Sequence, residues 1–260
     1  MILLHKKEKL PENQKDTPAK KSRIRTRLFK IICLTVAFVV LVGACYTGKS
    51  IYVRNKYVTT DFATLDLTGI DNLMIVAHPD DDIIWGGAHL MEGSYLVVCV
   101  TGGTSEVRAK EFLKAMDRTG DKAVMLGFPD KVLGKRSNWK NCSDDIEKDL
   151  TEIMALKHWN MIVTHNPDGE YGHNQHILTD QLVTKAYNQV CADEDNLWYF
   201  GKYYSPAAEK DYAATNPPRI TDAELVEKTD IIEDIYTSQG FVMDKFGQML
   251  PFENWTKYTA

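Results

Sequence analysis

From residue 71 onward, short apolar runs alternate with amphipathic stretches. Leu73-Met74-Ile75-Val76-Ala77 is continuously apolar, the pattern of a strand buried on both faces. Residues 95–100 and 161–163 repeat it, 124–126 repeat it weakly, and 198–204 predict one more strand. Between these runs, residues 83–91, 105–119, 144–156 and 176–190 predict helices. In the second of these, Val107, Phe112, Ala115 and Met116 recur at helical spacing. The third has acids in its first turn, where the helix dipole favours them. A helix is expected over 222–236, a loop over 206–218, and the last residues carry no clear pattern. Strands alternating with helices of this length predict an α/β fold: a Rossmann-like, mostly parallel sheet with helices on both faces.

The N-terminal part reads differently. Residues 31–48 contain no charged side chain. As a helix this run would be about 27 Å long, near the roughly 30 Å of a bilayer core. A buried core helix or the apolar part of a signal peptide would share this composition. The flanking charge and the lack of a polar stripe favour a transmembrane helix. Residues 1–30 hold ten Lys/Arg against three acids, a net of +7, and positive flanks stay on the cytoplasmic side. The expected organisation is a basic, irregular cytoplasmic tail (1–30), a transmembrane anchor (31–48), a stalk (49–70) and an extracytoplasmic domain (71–260). Val42-Gly43-Ala44-Cys45 also resembles a bacterial lipoprotein box, in which Cys45 would carry the lipid. The long basic lead favours the uncleaved anchor, and both readings put the body on the outer face of a membrane.

Composition narrows the function. With 44% hydrophobic and 26% charged residues, the chain can bury an ordinary globular core. The total charge of −5 leaves −12 for residues 31–260, which argues against nucleic acid as a partner. The body cysteines, Cys99, Cys142 and Cys191, show no C-x-x-C spacing, so neither a disulfide framework nor a cysteine zinc site is expected.

Two polar clusters follow predicted strands directly, where sheets of this type place their ligands. The first is Ala77-His78-Pro79-Asp80-Asp81-Asp82. Pro79 stiffens the turn and keeps His78 out of the helical region. Adjacent side chains in such a turn point different ways, so one aspartate can bind a metal while its neighbour stays free for proton transfer. The same residues could also simply cap the following helix. The second cluster is Thr164-His165-Asn166-Pro167-Asp168-Gly169-Glu170-Tyr171-Gly172-His173-Asn174-Gln175-His176. His173 and His176, three apart at a loop-to-helix junction, could face one point. His165 reads as a structural, hydrogen-bonded histidine. Together the clusters offer histidine and carboxylate ligands suited to Zn²⁺, with a spare carboxylate as general base.

These residues resemble the LmbE/PIG-L family of zinc-dependent N-acetylglucosaminyl de-N-acetylases. The likeness rests on A-H-P-D-D-D, on G-E-Y-G-H-N-Q-H, and on Thr101-Gly102-Gly103 followed by Arg108 and Glu111, and it covers about residues 73–204. It implies that His78, Asp81 and His176 hold one zinc, or another divalent ion, per chain. It implies further that Asp80 is the general base and that His173 stabilises the transition state or acts as an acid. Tyr171 would swing toward the oxyanion, and Arg108 would lie near the sugar. The implied substrate is an N-acetylated amino sugar in a surface or cell-wall glycan or a glycolipid. A non-catalytic carbohydrate-binding module and a zinc amidase or esterase for another substrate are the rival readings. Two positions depart from the family pattern. Asp82 replaces a glutamate of structural role, and Asn174-Gln175 replaces a Pro-Asp whose aspartate tunes the first histidine, which leaves the protonation of His173 open. The C-terminal aromatics Phe241, Phe246, Phe252, Trp255 and Tyr258 are expected to pack on the sheet, or else to line a sugar groove.

Overall fold

The computed structural model describes residues 18–259, which fall into two units divided between Ser50 and Ile51. Residues 1–17, part of the expected basic tail, lie outside the described residues.

Helix α1 (Pro18–Tyr57) is long and apolar enough to cross a membrane, and its charge-free run is exposed throughout. It is longer than the expected anchor. Residues 18–30, expected to be irregular, are its first turns, and it continues to Tyr57 through part of the expected stalk. Lys, Arg, Ala and Leu are good helix formers, and Pro18 at the first position loses no hydrogen bond there. No further proline interrupts the segment.

The body is built on a six-stranded sheet of order β3-β2-β1-β6-β7-β8. Its strands are β1 (Asn72–Val76), β2 (Tyr95–Thr101), β3 (Lys122–Phe128), β6 (Met161–Thr164), β7 (Leu197–Tyr199) and β8 (Thr256–Lys257). All pairings are parallel except that of β8, which closes the edge antiparallel to β7. Between β3 and β6, the strands β4 (Lys131–Val132) and β5 (Lys135–Arg136) form a separate hairpin.

Successive side chains of β1 and β2 enter opposite layers. Met74, Val76, Val97 and Cys99 join one core with residues of α2 (Asp81–Glu92), α3 (Glu106–Thr119) and the C-terminal segment. Leu73, Ile75, Leu96 and Val98 join the other with α4 (Ser143–Met154) and α6 (Asn174–Val190). Burial on both faces explains why these strands read as unbroken apolar runs. Chain order reverses between β1 and β6, so the carboxyl ends of these two strands frame the crevice where such sheets bind ligands.

Three elements differ from expectation. The strand expected over 198–204 stops at Tyr199, before Gly201. The expected loop over 206–218 contains α7 (Glu209–Thr215). The helix expected over 222–236 is α8 (Asp222–Asp230), capped by Thr221 and Glu224, and then widens into a π turn over Ile231–Ile235.

The C-terminal segment is tied to α2 by buried charge. Lys228 is fully buried, with Nζ 2.5 Å from Glu253 Oε1 and donating to the carbonyls of Ile84 and Leu250. Glu253 also accepts from the Ala88 and His89 backbone N–H groups and faces His89 Nδ1 at 2.6 Å. Burial alone would raise the Glu253 pKa, yet Lys228 and His89 hold it down at about 2. Glu253→Gln would leave the ammonium buried without its counter-charge. An unfolding titration is expected to show a loss of about 3–5 kcal/mol, because a stranded buried charge is costly. A change below about 1 kcal/mol would mean that the pair contributes little here.

Candidate active site

The site is assembled from the ends of β1 and β6. After β1 the chain turns through His78, Pro79 and Asp80, and α2 starts at Asp81. Asp80 takes a φ of 112°, a conformation that costs a residue with a Cβ. The turn is held from several sides. Thr101 Oγ1 donates to Ala77 O (2.8 Å), Asp82 accepts the Asp80 backbone N–H (3.0 Å), and the Arg108 guanidinium donates to Pro79 O. Gly102 lies against Pro79, where a Cβ would come within 2.9 Å of the ring. The Thr-Gly-Gly stretch thus braces the histidine turn.

After β6 the chain bends sharply. Gly169 and Glu170 both have positive φ, which turns the Glu170 side chain inward until it is buried. Its carboxylate accepts from the Asn166 backbone N–H and lies 3.0 Å from His165 Nδ1 and 2.5 Å from His176 Nδ1. Burial would raise the Glu170 pKa, but the two imidazoles bring it to about 2. The carboxylate stays ionised and fixes both rings.

Three donor groups converge as a result. His78 Nδ1 is 3.1 Å from Asp81 Oδ2, and His176 Nε2 is 3.3 Å from Asp81 Oδ1 and 3.3 Å from His78 Nδ1. Donors held about 2.0–2.1 Å from one tetrahedral ion lie about 3.3 Å apart, so the set fits a small divalent metal. The outer nitrogens are occupied in the sense that such a site needs. His78 Nε2 meets Gln175 Oε1 at 2.8 Å and Arg136 Nη1 at 3.2 Å, and His176 Nδ1 meets Glu170, so His78 Nδ1 and His176 Nε2 both face Asp81. His176 is buried, which alone would lower its pKa, but Asp81 and Glu170 bring it up to about 10. Asp81, despite its burial, is held well below the usual carboxylate range by His176 and His78.

His165 lies close to the same point but is otherwise engaged. Its Nε2 accepts the Ala77 backbone N–H (2.9 Å) and its Nδ1 donates to Glu170, so no lone pair remains for an ion. One of its ring nitrogens nonetheless lies within 4.8 Å of ligand atoms of Asp81 and His176, as one of His173 does of His78 and His176.

The other expected site residues border this centre. Asp80 is buried beside Asp81 without belonging to the convergent set. Burial and the Asp81 charge raise its pKa well above normal, opposed by Arg108, whose guanidinium is 3.7 Å from Asp80 Oδ1. His173 stands edge-on to His78, ring centroids 4.9 Å apart. Burial and the neighbouring His176 and His78 lower its pKa to about 3, so its imidazole is neutral. Among the described residues, its buried Nδ1 has no hydrogen-bond partner. Tyr171 packs near His173, His176 and Phe246, under the Lys245 ammonium. Asp82 is wholly buried and accepts the Tyr236 hydroxyl (2.7 Å), a structural position.

A cleft of about 150 Å³ opens above this centre, with Asp80, Arg108, Tyr171 and His173 in its walls. Its lining also includes Lys131 and Arg136 of the β4–β5 hairpin, and Phe241 and Phe246 of the C-terminal segment. Of the C-terminal aromatics, Phe246 and Phe252 are in the core while Phe241 is exposed at the cleft.

Sequence reasoning gave no role to Glu170, which lies three residues before His173 in the motif. It also tied Gln175 to the protonation of His173. In the fold Gln175 contacts His78 instead and donates to the carbonyls of Pro129 and Asp130, anchoring one candidate ligand to the loop before the hairpin. The first turn of α6 aims position 175 back across the crevice, which motif spacing alone does not reveal.

The chain is similar in sequence to several known proteins. An uncharacterised protein of Acanthamoeba polyphaga mimivirus is 32% identical over 44% of this chain and 56% of its own length. The 1D-myo-inositol 2-acetamido-2-deoxy-alpha-D-glucopyranoside deacetylase of Corynebacterium efficiens is 26% identical over 51% of this chain and 54% of its own. The protein of the same name from Streptomyces griseus is 28% identical over 46% and 49%, respectively. The chain spans about half the length of these curated relatives. Residues 73–187, which include both polar clusters, match the family described as PIG-L, GlcNAc-PI de-N-acetylase.

Proposed function

We propose that this protein is a zinc-dependent hydrolase that removes the acetyl group from an N-acetylglucosamine-type sugar in a surface glycan or glycolipid. The observation that carries the reading is the convergence of His78 Nδ1, Asp81 and His176 Nε2 on one point, with the Asp80 carboxyl beside them and outside the set. The deacetylase names of the relatives point to the same chemistry.

His78, Asp81 and His176 would hold the metal; two imidazoles and a carboxylate suit zinc. A zinc ion there supplies a Lewis acid and a water acidified to a pKa of about 7. The remaining steps belong to the chain. Asp80, made more basic by burial and by Asp81, takes a proton as the acetamide carbonyl is attacked, and returns it to the departing amine. Arg108 holds the turn that presents Asp80, and its charge keeps the carboxyl from becoming too basic to release that proton. Tyr171 and the neutral His173 flank the cleft as hydrogen-bond donors to the developing oxyanion. With its pKa near 3, His173 is a donor rather than a proton source, so the acid step falls to Asp80.

The helix able to span a bilayer would anchor the enzyme, and the basic segment before it would keep the N-terminus in the cytoplasm and the body outside. The test is acetate release from N-acetylglucosamine glycosides by the purified full chain. We expect release that a chelator abolishes and added zinc restores. Release that ignores the chelator, or none from any N-acetylhexosamine by metal-loaded protein, would overturn the reading.

A further inference from the structure

We infer that the β4–β5 hairpin beside the cleft is a membrane-touching loop that docks the mouth of the site on an anionic lipid surface.

The first observation is a conflict between residue and conformation. The hairpin closes through Leu133 and Gly134, at φ 49° and 79°, between the paired residues Val132 and Lys135. This is a two-residue turn with positive φ at both positions, which favours Asn-Gly and disfavours a bulky side chain at the first. Leu133 nevertheless occupies it, and its side chain is 99% exposed. It meets none of the core, so neither turn formation nor packing explains a leucine there. A strained residue with no structural return points to a function outside the fold.

The second observation is what surrounds that leucine. Val132 is 54% exposed, and Phe241, in the lining of the same cleft, is 53% exposed. Lys131 and Lys135 flank the tip, while Arg136 is paired with Asp130 and turned toward His78 and Gln175. Residues 31–260 carry a net charge of −12, so this cluster runs against the trend of the body. An exposed apolar tip flanked by lysines is the pattern of elements that settle into the headgroup region of anionic bilayers. A protein partner would be served by the apolar tip alone; the two lysines beside it select an anionic lipid surface. The chain's own spanning-length helix makes such a surface available.

The inference concerns docking and stands apart from the identity of the substrate. It is tested by hydrogen exchange on the full chain in lipid nanodiscs, either zwitterionic (phosphatidylcholine) or containing phosphatidylglycerol. Amides of residues 131–136 are expected to exchange about fivefold more slowly on the anionic discs, the scale of one or two cation–headgroup contacts. Leu133→Asn suits the turn better, so its thermal stability should match or exceed that of the parent, yet the difference between the two discs should vanish. Lys135→Glu should abolish it as well. Equal exchange on both discs in the parent chain, or a lipid-dependent difference that survives in Leu133→Asn, would overturn the proposal. Acetate release from a water-soluble glycoside, measured in parallel, reports on the proposed activity separately, because Leu133 and Lys135 lie outside the catalytic cleft.

Discussion

Asp80→Asn is expected to keep its metal and lose turnover by about 10²–10⁴-fold, the range for removing a positioned general base. Asparagine has nearly the same shape and tolerates unusual backbone better than most residues, so the strained turn at φ 112° should survive. The three proposed metal ligands, His78, Asp81 and His176, do not include Asp80. Metal content should therefore remain near one ion per chain while acetate release collapses. The loss should lie in kcat more than in KM, because the base acts on the transition state rather than on substrate binding. Metal content and rate both surviving would place the base elsewhere. Metal and rate lost together would make Asp80 part of the metal-holding set.

His176→Ala is expected to lose the metal, and with it all measurable turnover. His176 supplies one of the three convergent donors from the far side of the crevice, and the two that remain, His78 and Asp81, are three residues apart on one turn. Its loss also leaves Glu170 without one of the two imidazoles that hold that carboxylate ionised. Elemental analysis after dialysis against a weak chelator should find the parent loaded and the variant empty. Full occupancy in the variant would move the site. Metal affinity in the parent should also fall as the pH drops. In the metal-free site Asp81 and Glu170 raise the His176 pKa to about 10, so at neutral pH the ring is protonated and a metal must displace that proton. Acidification strengthens the proton's side of this competition, so the apparent affinity must rise with pH, not fall.

Much of this protein is legible in its sequence because the relevant physics is local. Unbroken apolar runs such as Leu73–Ala77 predict two-sided burial, and alternation with amphipathic helices predicts a parallel sheet whose strand ends carry the site. The two histidine clusters sit at those ends, and a stiff proline turn and glycine-rich bends mark them as special. Other features depended on partners distant in the chain. No local pattern joins Glu253 to Lys228 and His89, turns Glu170 onto two imidazoles, or sends Gln175 to His78 rather than to His173. Each of those contacts exists because β1, β6 and the C-terminal segment are brought side by side, and a buried carboxylate or amide then takes whichever partner the packing leaves within reach. The kinds of side chain available were set by sequence, and tertiary structure decided their pairing, since burial makes an unpaired polar group too costly to leave alone.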